Sequence, residues 1–576
     1  MQSNGVLLKT RLVICYTPDV PQGNQKKNKA PVYIFISGGV LSGLGKGITS
    51  ASISLLLKSH GYKVTPVKCE NYLNVDAGLI NPIEHGDPFL CEDGTEADMD
   101  IGSYEKFLHE DMGKLNFTTM GQIYGTVIEK ERRFEYNGED VEAIPHLTDE
   151  ITRRIKEVGK KNNADIVIVE MGGTAGEYQN VFYYEASRIM TLRNPGDVLH
   201  VHVSYVPTPH HLGEPKTKPT QLSVRTLNSM GIQPDFIIAR SEKYLDKRRR
   251  DRFALFCNMH PEDIISNPDL ASVYEIPMML HDQGLDKRIQ EKFGLVVKKP
   301  NLAQWEKLVE KIKAPKKKTI TVAIVGKYFG TGEYQLRDSY AALFDALDHA
   351  SWAQNVEVKT HWLDAEKIEK EGVEKVIGKT DGIIVPIGWG ERGAEGMIAA
   401  ADYARKNNIP YLGLCYGIQL AVVAFARSVL GIKDANSVEI DPQTKDPVIH
   451  IIPSQEELMR KRAYGGTMRL GSWEAIVKKG TKAYALYEKY GGLIDKEKDL
   501  TSERHRHRYE FNNKYAGEFE DKGLVISARS VQEGLVEIIE VPGHPFFLGT
   551  QGHPEYKSRP LNPHPIFMGF VEACAK

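Results

Sequence analysis

The chain is short of cysteine, of net charge and of long apolar runs. Its six cysteines in 576 residues, Cys15, Cys69, Cys91, Cys257, Cys415 and Cys574, stand singly with no CxxC pair. That excludes a disulfide framework and a zinc ribbon, and predicts a reducing compartment. Lys and Arg (74) nearly balance Asp and Glu (76), leaving a net charge of −2, without the basic excess of a nucleic-acid-binding protein. No stretch approaches the ~18 consecutive apolar residues of a membrane span, and the N-terminus has no uninterrupted apolar segment of a secretory signal. These absences predict a soluble, cytoplasmic protein with neither nucleic acid nor membrane as partner. The length, against ~100–200 residues per domain, predicts at least two domains.

What is present is an alternation of short apolar runs with helical patterns. Residues 1–30 end in VPQGNQKKNKA and read as an extension, with VLLKTRLVICY inside it as a stray strand or a weak targeting segment. From residue 31, YIFISGG, YKVTPVKC, DIVIVEMGG, DVLHVHVSYV and DFIIARS predict a parallel sheet with helices on both faces. KIKAPKKK at 311–318 breaks the composition, and TITVAIVGKY, DGIIVPIG and IPYLGL restart the alternation. The expected division is an extension (1–30), a first α/β domain (31–298), a linker (299–318) and a second α/β domain (319–576).

Two stretches carry chemistry. SGGVLSGLGKGITS (37–50) lies between an apolar strand and a helical pattern but fails the G-x-x-x-x-G-K-[S/T] phosphate-loop rule. Leu41 stands five before Lys46, and Gly47 follows it. Five glycines there still let backbone amides reach an anion at a positive helix end, with Lys46 as a mobile cation and Thr49 or Ser50 as hydroxyl. A tight turn without ligand is the alternative. The second stretch, IPYLGLCYGIQLAVVAF, sets Cys415 between Gly413 and Gly417 at a strand-to-helix junction. This is a nucleophile elbow with sulfur in place of oxygen, and the helix N-terminus favours a thiolate. Far downstream, GHPE places His553 and Glu555 two apart on an expected extended segment, as base and orienter for that thiol. A small buried cysteine and a surface histidine are the alternatives.

LCYGIQ with HPE resembles the class I glutamine amidotransferases. SGGVLSGLGKGI, NYLNVD, EHGDPF, DMDIGSYEKF, NFTTMGQIYGTVIEKERR, IPHLTDEI, VEMGGTAGE, GEPKTKPTQLSV, ANSVE, TMRLGS and ERHRHRYEFNN resemble the CTP synthase family, from about residue 31 to the end. The resemblance implies two doubly wound α/β domains, a P-loop-like amidoligase sheet and a class I amidotransferase sheet. It implies a ligase that phosphorylates UTP at O4 with ATP and aminates it to CTP, using ammonia channelled from glutamine hydrolysed at Cys415, His553 and Glu555. By the same resemblance Ser42, Gly43, Leu44, Gly45, Lys46, Gly47, Ile48 and Lys68 hold ATP, and Asp100 and Glu170 hold Mg²⁺. UTP or CTP falls to Glu177, Lys216, Lys218, Thr220, Gln221 and Arg252, at a subunit junction. Glutamine falls to Gly388, Tyr416, Gln419, Glu439 and Arg508, and the oxyanion to the amides of Ile387 and Tyr416. GTP as activator, CTP as product inhibitor, a homotetramer and its assembly into filaments are implied as well.

The sequence departs from the family pattern at several points. Ile387 stands where a glycine amide usually serves the oxyanion, and a β-branched residue resists an unusual φ. Glu70-Asn71 replaces Asp-Pro, Leu222 replaces a polar residue, Arg252 a lysine and Gly552 an aromatic. An amidoligase for another acceptor and a regulatory or filament-forming paralogue with weakened glutaminase are the competing readings.

Overall fold

The computed structural model describes residues 30–331 and 334–576, so the VLLKTRLVICY segment lies outside the described residues. Strand β1 (Val32–Gly39) is buried along its whole length. Val32, Ile34 and Ile36 enter one apolar cluster, and Tyr33 and Phe35 enter another on the opposite face. A strand covered on both faces needs no alternation, which is why YIFI reads as an unbroken apolar run.

β2 (Val64–Glu70), β3 (Phe117–Thr119), β4 (Ile166–Met171), β5 (Val198–Tyr205), β6 (Phe236–Ser241) and β7 (Ile264–Pro268) join it in the order β3-β2-β4-β1-β5-β6-β7. Every pairing is parallel. Parallel neighbours need crossovers, and the helices supply them. Those that matter here are α1 (Lys46–Ser59), α2 (Met99–Leu108), α3 (Lys218–Ser229) and α4 (Lys247–Cys257).

Residues 299–318, expected as a linker, carry helix α5 (Ala303–Lys313), and Lys318 already opens the next strand. Trp305 docks this helix on the first sheet's side, its indole N–H donating to the Tyr274 carbonyl at 2.8 Å. The lysine run therefore coincides with a change of sheet in an ordered, packed segment.

The second sheet has nine strands: β8 (Lys318–Gly326), β9 (Val356–Asp364), β10 (Gly382–Val385), β11 (Tyr411–Leu414), β12 (Arg469–Val477), β13 (Leu500–His507), β14 (Val525–Ser530), β15 (Val536–Glu540) and β16 (Phe547–Thr550). Their order is β9-β8-β10-β11-β16-β15-β14-β12-β13. The five from β9 to β16 pair in parallel and the rest are antiparallel. The strand–helix alternation had not disclosed the antiparallel half. Short turns join β14 to β15 and β15 to β16, helical segments make the other two connections, and the strands alternate buried with open positions, as in Arg469–Val477. Helix α6 (Ala341–Gln354), helix α7 (Tyr416–Phe425) and the one-turn helix α8 (Pro554–Lys557) complete the parts used below. No described helix is long and apolar enough to cross a membrane.

Candidate functional site

The loop after β1 turns through left-handed Gly43 (φ 71°) and Gly45 (φ 83°), and Val40 is also left-handed (φ 84°), a strained geometry for a β-branched residue. Lys46 opens α1, and its ammonium donates to the Gly173 carbonyl at 2.9 Å. Burial, and then Lys68, pushes its pKa down. Leu44 is buried in the core and Ile48 packs against it, so these two present only backbone to a ligand, while Ser42 is exposed. Thr49 turns its hydroxyl back to the Gly45 carbonyl at 2.9 Å, whereas the Ser50 hydroxyl is buried without a partner. Gly47 is required sterically: a Cβ there would lie 1.8 Å from Asp100 Oδ1.

Lys68 is buried at the centre of a carboxylate cluster. It pairs with Glu170 at 2.8 Å, with Glu70 at 3.0 Å and with Asp100, and Tyr104 donates to Glu170 from the next turn of α2. Burial, followed by Glu170, pushes Asp100 up to about 8, and burial raises Glu70 to about 7. Oxygens of Glu70, Asp98 and Asp100 lie within 4.8 Å of one another. An all-oxygen donor set with more carboxylates than cations fits Mg²⁺. Sequence reading singled out Asp100 and Glu170 here and missed Glu70, Asp98 and Tyr104. The one signal was the Asp100–Tyr104 spacing, which puts both on one helix face.

The expected pyrimidine set is divided. Lys216, Lys218, Gln221 and Arg252 line one cavity of about 360 Å³ with Arg225, Arg248 and Arg249, between the start of α3 and α4. Thr220 is buried beneath it, accepting from Ser204 at 3.0 Å and donating to the Tyr205 carbonyl at 3.1 Å. Glu177 sits apart, accepting from the Thr174 amide at 2.8 Å and from Asn71 at 3.2 Å.

In the second sheet β11 ends at Cys415, which caps α7 with φ 52° and ψ −96°, the strained turn of a nucleophile elbow. The flanking glycines are obligatory, since a Cβ at Gly417 would lie 2.1 Å from the Val385 carbonyl oxygen and one at Gly413 would lie 2.7 Å from the Gly417 backbone. His553 does not lie in an extended run: it precedes α8, Pro554 takes the first helical turn, and Glu555 lies within the helix. That turn brings Glu555 Oε1 to 2.7 Å from His553 Nδ1 and leaves Nε2 buried and unpartnered. Burial disfavours the imidazolium, but Glu555 and then Cys415 outweigh it and lift His553 to about 10.

Around the elbow, Gln419 donates to the Tyr509 carbonyl at 2.9 Å and keeps a buried, unpartnered carbonyl. Glu439, pushed up to about 7 by burial, accepts from the Gly390 amide at 2.8 Å. Gly388 packs tightly: a Cβ would meet Lys327 at 2.8 Å and Tyr416 at 3.0 Å. Lys327, absent from the sequence reading, is buried with its ammonium on the Trp389 and Gly390 carbonyls, and burial pushes it down to about 8. Ile387 is buried and lies outside the left-handed region, so its side chain imposes no strain there. Arg508 donates to Gln455, to the Tyr464 carbonyl at 2.7 Å and to Thr467 at 2.8 Å, contacts that a bidentate grip on a carboxylate would have to replace. At Gly552 no side chain fits, because a Cβ would lie 2.6 Å from Glu503.

The family described as "CTP synthase N-terminus" matches residues 32–295, and "Glutamine amidotransferase class-I" matches 335–573. A CTP synthase of Pyrococcus abyssi is 50% identical over 544 residues, 94% of this chain and 97% of its own. The chain belongs to the CTP synthase family. A CTP synthase of Caldanaerobacter subterraneus subsp. tengcongensis is 47% identical over 542 residues, 94% of this chain and 98% of that one. A solved glutaminase domain of Trypanosoma brucei CTPS with bound acivicin is 34% identical over 44% of this chain and 94% of its own, at TM-score 0.39. CTP synthases are ligases, and this chain carries both parts of the family's architecture.

The two parts meet through arginines of RHRHR. Alternation along β13 turns Arg504 and Arg506 to the first sheet's side. Arg504 bonds Glu105 at 2.9 Å, Glu92 at 2.9 Å and Asp111 at 3.0 Å, and Arg506 bonds Glu96 at 2.7 Å. His505 and His507 face the other way, onto Arg469, and burial drives both well below the usual histidine range. Neutral imidazoles sharing an arginine are a packing device.

Proposed function

We propose that the chain makes CTP from UTP, ATP and glutamine, with Mg²⁺, at two sites in one molecule. The observation that carries the reading is the Cys415–His553–Glu555 elbow in the same folded unit as the Lys46 loop and its carboxylate cluster. The Cys415 thiol proton resides on His553 Nε2, the Cys415 sulfur attacks the glutamine amide carbon, and Glu555 holds the imidazolium. The tetrahedral oxygen is met by backbone N–H groups of Ile387 and Tyr416. Collapse expels ammonia with the proton from His553, and water releases glutamate from the thioester. Gln419, through its free carbonyl, and Glu439 receive the amino-acid end with Gly388, Tyr416 and Arg508.

On the other side Lys46 and the amides of residues 42–48 take the ATP phosphates. Asp100 and Glu170, with Lys68 between them, would hold Mg²⁺ together with Glu70 and Asp98, whose oxygens cluster with that of Asp100, and the ion would supply charge neutralisation to the phosphates. The γ-phosphoryl passes to O4 of UTP, ammonia attacks C4, and phosphate leaves. Lys216, Lys218, Gln221 and Arg252 are a cationic seat for a pyrimidine triphosphate. Thr220 shapes its floor, and Glu177, lying apart, reaches a nucleotide at a junction between subunits of a homotetramer. GTP activation, CTP inhibition and filament assembly belong to the same reading.

The test is CTP formation from UTP and Mg·ATP with glutamine plus GTP, in parallel with ammonium. Product with both donors is expected. Product with ammonium alone would place a fault in the amidotransferase half, and product with neither would sink the reading.

A further inference from the structure

The last residue of β16 and the segment that follows it both touch the nucleophile. The Thr550 carbonyl accepts the Cys415 amide at 2.8 Å, His553 follows three residues on, and between them stands Gln551, which sequence reasoning passed over. Its side-chain amide nitrogen lies 3.6 Å from Cys415 Sγ, within reach of an N–H to sulfur bond. Gln551 is 2% exposed and Cys415 1%, so bulk water does not compete for the sulfur.

The amide has one assigned orientation. Gln419 Nε2 donates to the Tyr509 carbonyl and also to Gln551 Oε1 at 3.3 Å. With its carbonyl engaged by a donor, Gln551 turns its NH₂ to the sulfur. The Gln551 backbone N–H is tied to the Glu537 carbonyl at 2.8 Å, so the residue is pinned at both ends.

We propose that Gln551 is a catalytic residue of the amide-hydrolysing site, donating a hydrogen bond to Cys415 Sγ that stabilises the thiolate. The inference rests on the glutaminase reading above. A donor aimed at sulfur favours the anion over the thiol. When the thiol proton passes to His553 Nε2, the N–H bond meets the new negative charge. It weakens as the S–C bond forms and the carbonyl π electrons move to oxygen. The same bond receives the sulfur when water cleaves the thioester and the S–C electron pair returns to it. Gln551 neither gains nor loses a proton.

The experiment uses the full chain and iodoacetamide. The rate of Cys415 alkylation is followed against pH, with Cys415→Ala subtracting every other thiol, in Gln551→Leu, which removes the donor, and Gln551→Glu, which puts an acceptor in its place. The expected result is an alkylation midpoint raised by about one pH unit in Gln551→Leu and raised further in Gln551→Glu. With it comes a fall in glutaminase kcat of about tenfold or more, with KM for glutamine changed less than about threefold. Thermal unfolding shows which variants are folded, and Gln551→Asn, which withdraws the amide by one methylene, replaces any that are not. A midpoint that stays put in the folded variants overturns the proposal, whatever happens to turnover. Alkylation needs no glutamine turnover, so a parent protein without glutaminase would refute the functional reading while the midpoints still decide the role of Gln551.

Discussion

His553 carries the charge balance of the thiol site. Its pKa is raised to about 10, so the contribution its charged form makes to stability is complete below an unfolded-state value of about 6.5 and is lost as pH rises through about 10. The acid that protonates departing ammonia is lost over the same interval. Glu555→Gln removes the largest charge that favours the imidazolium, so the alkaline limb of the glutaminase pH profile should move down; an unmoved limb would exclude Glu555 as orienter. Cys415→Ala should abolish glutamine-dependent synthesis and leave ammonium-dependent synthesis standing, and loss of both would refute the separation of the two chemistries.

Elements set the tolerances around these groups. Helix α2 holds Asp100 in its first turn, Tyr104 one turn later and Glu105 beside it, so one rigid rod serves the carboxylate cluster and the seam between the sheets. It crosses α1 where Gly47 has no room for a side chain. Gly47→Ala should displace Asp100 and cut synthesis by about a hundredfold with either nitrogen donor, leaving glutaminase intact. Synthesis within a few-fold of the parent would show that Asp100 tolerates the shift and has no fixed role. The elbow at Cys415 follows the same logic: every residue of α7 is buried and all but Gln419 and Tyr416 are apolar, so the strain at φ 52° is held by packing that the helix cannot leave.

Across the whole molecule, the two sheets are joined by buried charge. Glu105 and Arg504 are both wholly buried, and Glu105 also receives Arg559. The Arg504 carbonyl accepts the His553 amide at 2.8 Å, so the same residue that grips α2 also supports the catalytic histidine. Glu105→Gln should destabilise the chain by about 3–5 kcal/mol in urea unfolding, because two buried guanidinium groups lose their central partner. A loss below about 1 kcal/mol would show that Glu92 and Asp111 suffice. Glutaminase should fall in the same variant, through the backbone that positions His553.

Much of this was legible in the chain alone, for reasons that are local. Strands buried on both faces are spelled as apolar runs, and glycines that abut backbone are spelled as glycine, so β1, β11 and both loops could be read directly. The sequence by itself determined the alternating α/β architecture, the elbow and the lysine of the first loop, since each depends on neighbours within a few residues. It misread the HPE segment as extended, because a single proline-led turn leaves no periodicity. The antiparallel half of the second sheet was likewise hidden, since strand direction is set by which strands pair, and pairing is a long-range choice. Only the tertiary structure brought Gln551 to Cys415, Glu70 and Tyr104 to Lys68, and Arg504 to Glu105. Such contacts join residues far apart in sequence, and what fixes them is burial, which leaves a charge or an amide no partner but the one the fold supplies.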